Sequence, residues 1–341
     1  MKGLFNWLGL LAMIVLLSCD NTAVNAAGIT APGQATSGYG STANYICNGF
    51  TEGRVGPWYD PWSGTWCWYY IPAKLKNGTK APVVIYLHGM MLMAPDIYMD
   101  HIEHLCRQGY IVLFPQINKG GIVGLATDNN QYKMMHRTID SVNNALSKIG
   151  SKADRSNMVI FGHSLGGLIG LCWGDNEGDA KAPAVQRIVL ADPCLYANIP
   201  AFVDAFVNVT ELDFNAKARS TTVPAIILTG SDDTIALPET AYEAYDALVN
   251  APSRVIYRYN TDTHGDKDLK ADHMAPIDDD GWMPGWAMDM LGGDGEVDAF
   301  DYRVFWAALD AALDGKNTLA FDMGTWSDGV PVKTVTQLAP K

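Results

Sequence analysis

The stretch Gly162-His163-Ser164-Leu165-Gly166-Gly167 constrains the fold more than any other part of the chain. The apolar run Met158-Val159-Ile160-Phe161 leads into it, and Leu168-Ile169-Gly170-Leu171-Cys172-Trp173 leads out. A short apolar run, a glycine-flanked turn and a second apolar segment read as strand, sharp turn and buried helix. A serine at the apex of such a turn is held in a strained backbone conformation, with its hydroxyl presented above the sheet edge. The flanking glycines leave room where side chains would strike the neighbouring strand and helix. In this setting the motif reads as a nucleophile elbow, with Ser164 as the nucleophile.

The rest of the chain alternates strand and helix patterns. Pro82-Val83-Val84-Ile85-Tyr86-Leu87 is a continuous apolar run, as expected of a parallel strand buried on both faces. Further strands are expected at Thr65 to Ile71, Tyr110 to Phe114, Arg187 to Ala191, Ala225 to Leu228 and Arg254 to Tyr259. Helical patterns fall at Ile97 to Gln108, Asn130 to Ile149, Glu239 to Leu248 and Ala299 to Leu313. Such alternation implies an α/β fold, a mostly parallel central sheet with helices on both faces. Ile199 to Ser220 is a possible small cap.

Residues 1–18 read as a signal peptide: Lys2 gives a positive start, and Leu8 to Leu17 is too short to span a bilayer. Leu16-Leu17-Ser18-Cys19 resembles a bacterial lipobox, which implies export and a membrane anchor through a lipid on Cys19. An ordinary secretory signal cut near Ala26-Ala27 is the alternative. Residues 19–45, poor in large apolar residues, are expected to form a flexible tether. The domain proper is expected over 46–315, with 316–341 a tail partly packed on it through Phe321, Met323 and Trp326. The 24 basic and 37 acidic residues argue against nucleic acid as a partner. Cys47, Cys67, Cys106, Cys172 and Cys194 remain after Cys19, an odd number. Cys47 and Cys67 flank one aromatic loop and are the expected disulfide; Cys106 and Cys172 sit in helical apolar patterns and read as buried thiols.

A serine nucleophile needs a base, an acid to orient the base, and donors for the oxyanion. In this architecture the acid and then the histidine follow the serine, each on a loop after a strand. Thr229-Gly230-Ser231-Asp232-Asp233 closes the strand Ala225 to Leu228, and Asp233 is the expected acid, with Asp232 and Asp192 as rivals. Two histidines compete for the base. His264 comes soon after the strand Arg254 to Tyr259, where position favours it. His273 lies nine residues later, in Ala271-Asp272-His273-Met274-Ala275-Pro276. His101, His104 and His136 fall in helices and read as surface or capping residues. The oxyanion donors are expected to be the backbone N–H of Leu165 and that of Met90 in His88-Gly89-Met90-Met91, with Met91 in reserve.

These segments resemble the α/β-hydrolases, in the branch of cutinases, polyester hydrolases, dienelactone hydrolases and chlorophyllases. The matching parts are His88-Gly89, Gly162 to Gly167 and Gly230-Ser231-Asp232-Asp233-Thr234-Ile235-Ala236. The last is similar to the acid loop of bacterial cutinases. Ala271 to Pro276 is similar to the stretch around the cutinase base, and His264-Gly265 to the His-Gly of dienelactone-hydrolase-like enzymes. The context around His273 makes it the preferred base, with His264 as the alternative. The resemblance implies a serine esterase acting through an acyl-enzyme on a hydrophobic ester, with no metal or organic cofactor. A peptidase or amidase with the same triad and a non-catalytic envelope binding protein are the alternatives.

Asp294-Gly295-Glu296-Val297-Asp298 resembles half of a calcium loop, but Met290 and Gly292 occupy the early ligand positions. It reads instead as an acidic helix start with Asp298 as N-cap. The aromatics from Trp58 to Tyr70, with Trp282 and Trp286, fit either a substrate platform or ordinary packing.

Overall fold

The apolar runs become the middle of one sheet. β3 (Ala81–Leu87), β4 (Ile111–Pro115), β5 (Ala153–His163), β6 (Arg187–Ala191), β7 (Ala225–Gly230) and β8 (Arg254–Tyr259) are parallel. Antiparallel strands β1 (Phe50–Val55) and β2 (Cys67–Pro72) extend one edge, and β9 (Thr336–Leu338) the other. The order is β1-β2-β4-β3-β5-β6-β7-β8-β9. The chain winds outward from β3 to β4, then returns past β3 to β5 and continues the other way. That reversal opens a crevice at the carboxyl ends of β3 and β5, where open α/β sheets place their sites. The computed structural model describes residues 28–60, 63–120, 124, 127–174, 181–196, 209–279, 281 and 284–340.

Because side chains alternate across a strand, each buried strand feeds two cores. Val84 and Tyr86 of β3 and Val159 and Phe161 of β5 face one core, together with α1 (Met99–Arg107) and α5 (Trp306–Leu313). Val83, Ile85 and Leu87 face the other, with α2 (Gln131–Ile149), α3 (Leu165–Leu171) and α4 (Thr240–Ala247). α2 starts where the Asn130 side chain accepts the Lys133 N–H, and it stops at Gly150, whose φ of 62° suits glycine. Before α5 the Asp298 carboxylate accepts the Phe300 N–H, while Asp301 accepts the Asp298 N–H.

Three expectations are corrected. Cys47 and Cys67 are not bonded to each other, and both are free thiols. The β1–β2 register sets Val55 opposite Cys67 but Phe50 opposite Pro72, so Cys47 lies beyond the far end of the pair. Roughly five strand residues at about 3.3 Å each separate them, against the ~6 Å between Cα atoms that a disulfide spans.

The described part of the expected tether, residues 28–45, lies against the domain. Thr30 and Ser327 exchange hydrogen bonds, and the Gly40 N–H donates to Asp310 at 2.8 Å. A Cβ on Gly40 would sit 1.8 Å from the Tyr302 carbonyl oxygen. The small residues here mark close backbone approach, not flexibility.

His101 and His104, read as surface or capping residues, are buried. Both stack on Trp306, and His104 bonds Asp310. The signal peptide, Cys19, residues 199–208 of the possible cap and Trp282 lie outside the described residues.

Candidate active site

β5 ends at His163 and α3 begins at Leu165, leaving Ser164 alone at the turn with φ 55° and ψ −118°. Its neighbours approach at backbone distance. A Cβ on Gly162 would lie 2.4 Å from the Gly166 oxygen, and one on Gly166 2.1 Å from the Leu87 oxygen. The Ser164 N–H donates to the Ala191 carbonyl at 3.0 Å, which ties the turn to the end of β6. Met91, Ser164 and Asp192 are the non-glycine residues with positive φ among those described. They follow β3, β5 and β6, so the backbone strain is gathered at one end of the sheet.

The Ser164 hydroxyl lies 2.8 Å from His273 Nε2, and His273 Nδ1 lies 2.8 Å from Asp233 Oδ2. A carboxylate accepts, so Nδ1–H donates to Asp233, and Nε2 is left to accept the serine proton. The other Asp233 oxygen accepts the N–H groups of Ile235 and Ala236, each at 2.8 Å, which pins the carboxylate. All three residues are buried, at 6% exposure for Ser164 and 3% for Asp233 and His273. The arrangement can move a proton from serine to histidine while a carboxylate steadies the imidazolium.

His264 lies elsewhere. Its Nε2 bonds Asp328 at 2.8 Å, its ring leans on Trp326, and its side chain is about a third exposed. The backbone explains why. Asp262 and Leu269 exchange two hydrogen bonds of 2.9 Å, so residues 262–269 run out and back before the chain reaches His273. Asp232 is exposed and takes the Ser231 hydroxyl. Asp192 accepts from Gly230 N–H at 2.8 Å and from the Tyr259 hydroxyl at 2.6 Å. Burial, then the nearby Asp233, pushes its carboxyl well above the usual range.

The turn after β3 is held from within. Burial pushes His88 down to about 4, and its Nε2 accepts the Ile117 N–H, so Nδ1–H donates to the Gly89 carbonyl at 2.6 Å. That carbonyl also takes the Leu92 N–H, which turns the next N–H, that of Met90, the opposite way. Met91 spends its own N–H on Asn118 at 3.2 Å. The Leu165 N–H is the first of α3 and has no intrahelical partner. His88 and Asn118 are the props of this turn, roles not expected from the sequence. His88 was visible in the motif; Asn118, after β4, carries no local signal. Among the described residues no group of three or more His, Cys, Asp or Glu could hold a metal ion.

This strand order, with the serine turn after β5 and the acid and histidine after β7 and β8, is the α/β-hydrolase fold. A chlorophyllase family model matches residues 71–182, about a third of the chain. No curated protein matches it. Among solved structures it is similar to one described as a dipeptidyl aminopeptidase IV from Bacteroides ovatus, at 14% identity and a TM-score of 0.47. That match covers 62% of this chain but only 32% of the other. The Pyrococcus furiosus esterase Pf2001 is similar at 17% identity and TM-score 0.44, over 68% of this chain and 88% of its own. VinJ gives 17% identity and TM-score 0.42, over 63% and 92%.

Asp272, Asp278 and Asp298, after His264, have raised carboxyls: Asp278 is buried, and Asp272 and Asp298 are half-buried. Burial is the main cause that pushes Asp272 up to about 6, Asp298 to about 7 and Asp278 to about 8. Their ordinary value is 3.8, so the folded chain keeps these protons where the unfolded chain has lost them. The stability they contribute is complete below about pH 4 and is lost as pH rises through about 6 to 8. Asp278→Asn, which carries no charge, is therefore expected to gain on wild type by several degrees of Tm between pH 5 and pH 9. Parallel melting curves that keep a constant gap would rule this out.

Proposed function

We propose that this chain is an exported serine hydrolase that cleaves carboxylic esters. The observation that carries the reading is the hydrogen-bonded series Ser164–His273–Asp233 at a strained strand-to-helix turn. Ser164 attacks the ester carbonyl as His273 Nε2 takes its proton, and the Met90 and Leu165 N–H groups receive the developing oxyanion. The proton passes to the leaving alkoxide, and an acyl group remains on Ser164. Water, deprotonated by the same histidine, then releases the acid. Ester specificity is supported by the sequence likeness to the cutinase and chlorophyllase branch. Export and lipid anchoring are supported by the lipobox-like Leu16-Leu17-Ser18-Cys19.

A fluorophosphonate probe applied to fractionated cells tests the reading. Labelling is expected at Ser164 in the membrane fraction, moving to the soluble fraction in Cys19→Ala. Purified protein is expected to cleave p-nitrophenyl esters about a hundredfold or more faster, by kcat/KM, than peptide p-nitroanilides. The reverse preference would make it a peptidase, and an unlabelled protein would make it a binding module.

A further inference from the structure

The chemistry above leaves one fully buried histidine at the site without a task. His163 precedes the serine, and its Nε2 lies 2.8 Å from the carbonyl oxygen of His273. Its Nδ1 lies 2.8 Å from the hydroxyl of Tyr98, which is also buried, and that hydroxyl lies 3.2 Å from the Gly89 nitrogen. The protons have one consistent arrangement. A carbonyl only accepts, so Nε2 bears the hydrogen; Nδ1 of the neutral ring then accepts from the Tyr98 O–H; the Tyr98 oxygen accepts the Gly89 N–H. Burial, reinforced by the neighbouring His273, pushes His163 well below the usual histidine range, which keeps the ring neutral.

We propose that His163 and Tyr98 are positioning residues, a buried strut fastening the oxyanion turn and the backbone of the base to the elbow. The proposal rests on the reading of Ser164 as nucleophile and His273 as base. The need for a strut follows from the chain path. His273 comes after the out-and-back excursion of residues 262–269. Two bonds that pin the returning chain, Ala271 N–H to Thr261 Oγ1 and Asp232 N–H to the Ala271 carbonyl, stop two residues short of it. Holding its carbonyl sets the direction of its Cα–Cβ bond, and with it the place of Nε2. At the other end, Gly89 carries the carbonyl that aims the Met90 N–H. Base and oxyanion donor are thus referred to one residue, the immediate neighbour of the nucleophile. Misplacement of about 1 Å in such a constellation costs on the order of a hundredfold in rate.

The rate at which a fluorophosphonate labels Ser164 reads this geometry without knowledge of the natural ester. His163→Leu is expected to label about tenfold or more slowly than wild type, with KM for a p-nitrophenyl ester unchanged. His163→Gln, whose amide can donate to His273 and accept from Tyr98, is expected to recover most of the rate. Tyr98→Phe, which deletes one oxygen, is expected to slow labelling as well. A wild-type rate in His163→Leu, or no recovery in His163→Gln, overturns the strut. Should His163→Leu fail to fold, a wild-type rate in Tyr98→Phe overturns it alone. A wild-type protein that is not labelled at all rejects the nucleophile reading and the strut with it, so the two failures are told apart.

Discussion

Ester hydrolysis is expected to fall by about 10⁶-fold in Ser164→Ala, and by a similar factor in His273→Ala. The double variant is expected to be no slower than either single one, because the two residues act as a unit and the loss of one idles the other. Asp233→Asn is expected to cost about 10⁴-fold, since an amide can donate to Nδ1 and stabilise the wrong tautomer. His264→Ala is the control. Its bond to Asp328 lies on a partly exposed surface, so activity within about twofold of wild type is expected. Steady-state kinetics on one p-nitrophenyl ester decides the matter. A severe loss in His264→Ala with an active His273→Ala would exchange the two histidines and refute the geometry around Ser164.

The second large effect concerns folding rather than chemistry. Gly166→Val is expected to abolish accumulation of folded protein. Its Cβ would meet the Leu87 carbonyl oxygen at 2.1 Å and the carbonyl carbon at 2.4 Å, both main-chain atoms of a central strand. No side chain stands there to move aside, so α3 must leave β3, or β3 must leave the sheet. Steric conflict of this kind belongs among the most destabilising single changes, about 4–5 kcal/mol or more. Gly285→Ala is the matched control, since nothing among the described residues lies within 4 Å of its added carbon. There the lost freedom of the unfolded chain is expected to give about 0.4–1 kcal/mol of stabilisation. Soluble yield and urea melts of the two variants test the contrast. A stable, folded Gly166→Val would mean that the elbow is far more plastic than these distances imply.

How much of this was legible beforehand depends on how local each determinant is. Strands β6 and β8 fall end to end where they were expected; after Arg187, β6 is apolar because it is parallel and covered on both faces, whereas β8 keeps Arg254 and Arg258 half-buried. β1 and β9 were missed. Phe50-Thr51-Glu52-Gly53-Arg54-Val55 and Thr336-Gln337-Leu338 sit at the sheet edges with most residues half-buried or exposed, so hydropathy does not mark them. In the site, Ser164 and Asp233 stand in motifs whose neighbours supply the geometry. The choice between His264 and His273 does not reside near either. It depends on backbone bonds between Asp262 and Leu269, and on Trp326 from the far tail, which donates to Asp262 and crowds Gly265. The N-terminal segment misled for a related reason. Its glycine and serine content looks the same whether a chain is loose or pressed flat against a carbonyl.

That pressed segment sets a limit on reach. If Cys19 carries the proposed lipid, Gly28, the first described residue of the segment held on the domain, stands nine residues from the anchor, at most about 30 Å of chain even when fully extended. The Ile29 carbonyl accepts from Asp266, beside the loop of His264, so the leash would leave the body at that corner. A domain so tethered would stay within that length of the bilayer. Its substrate would have to come to the membrane, or be part of it.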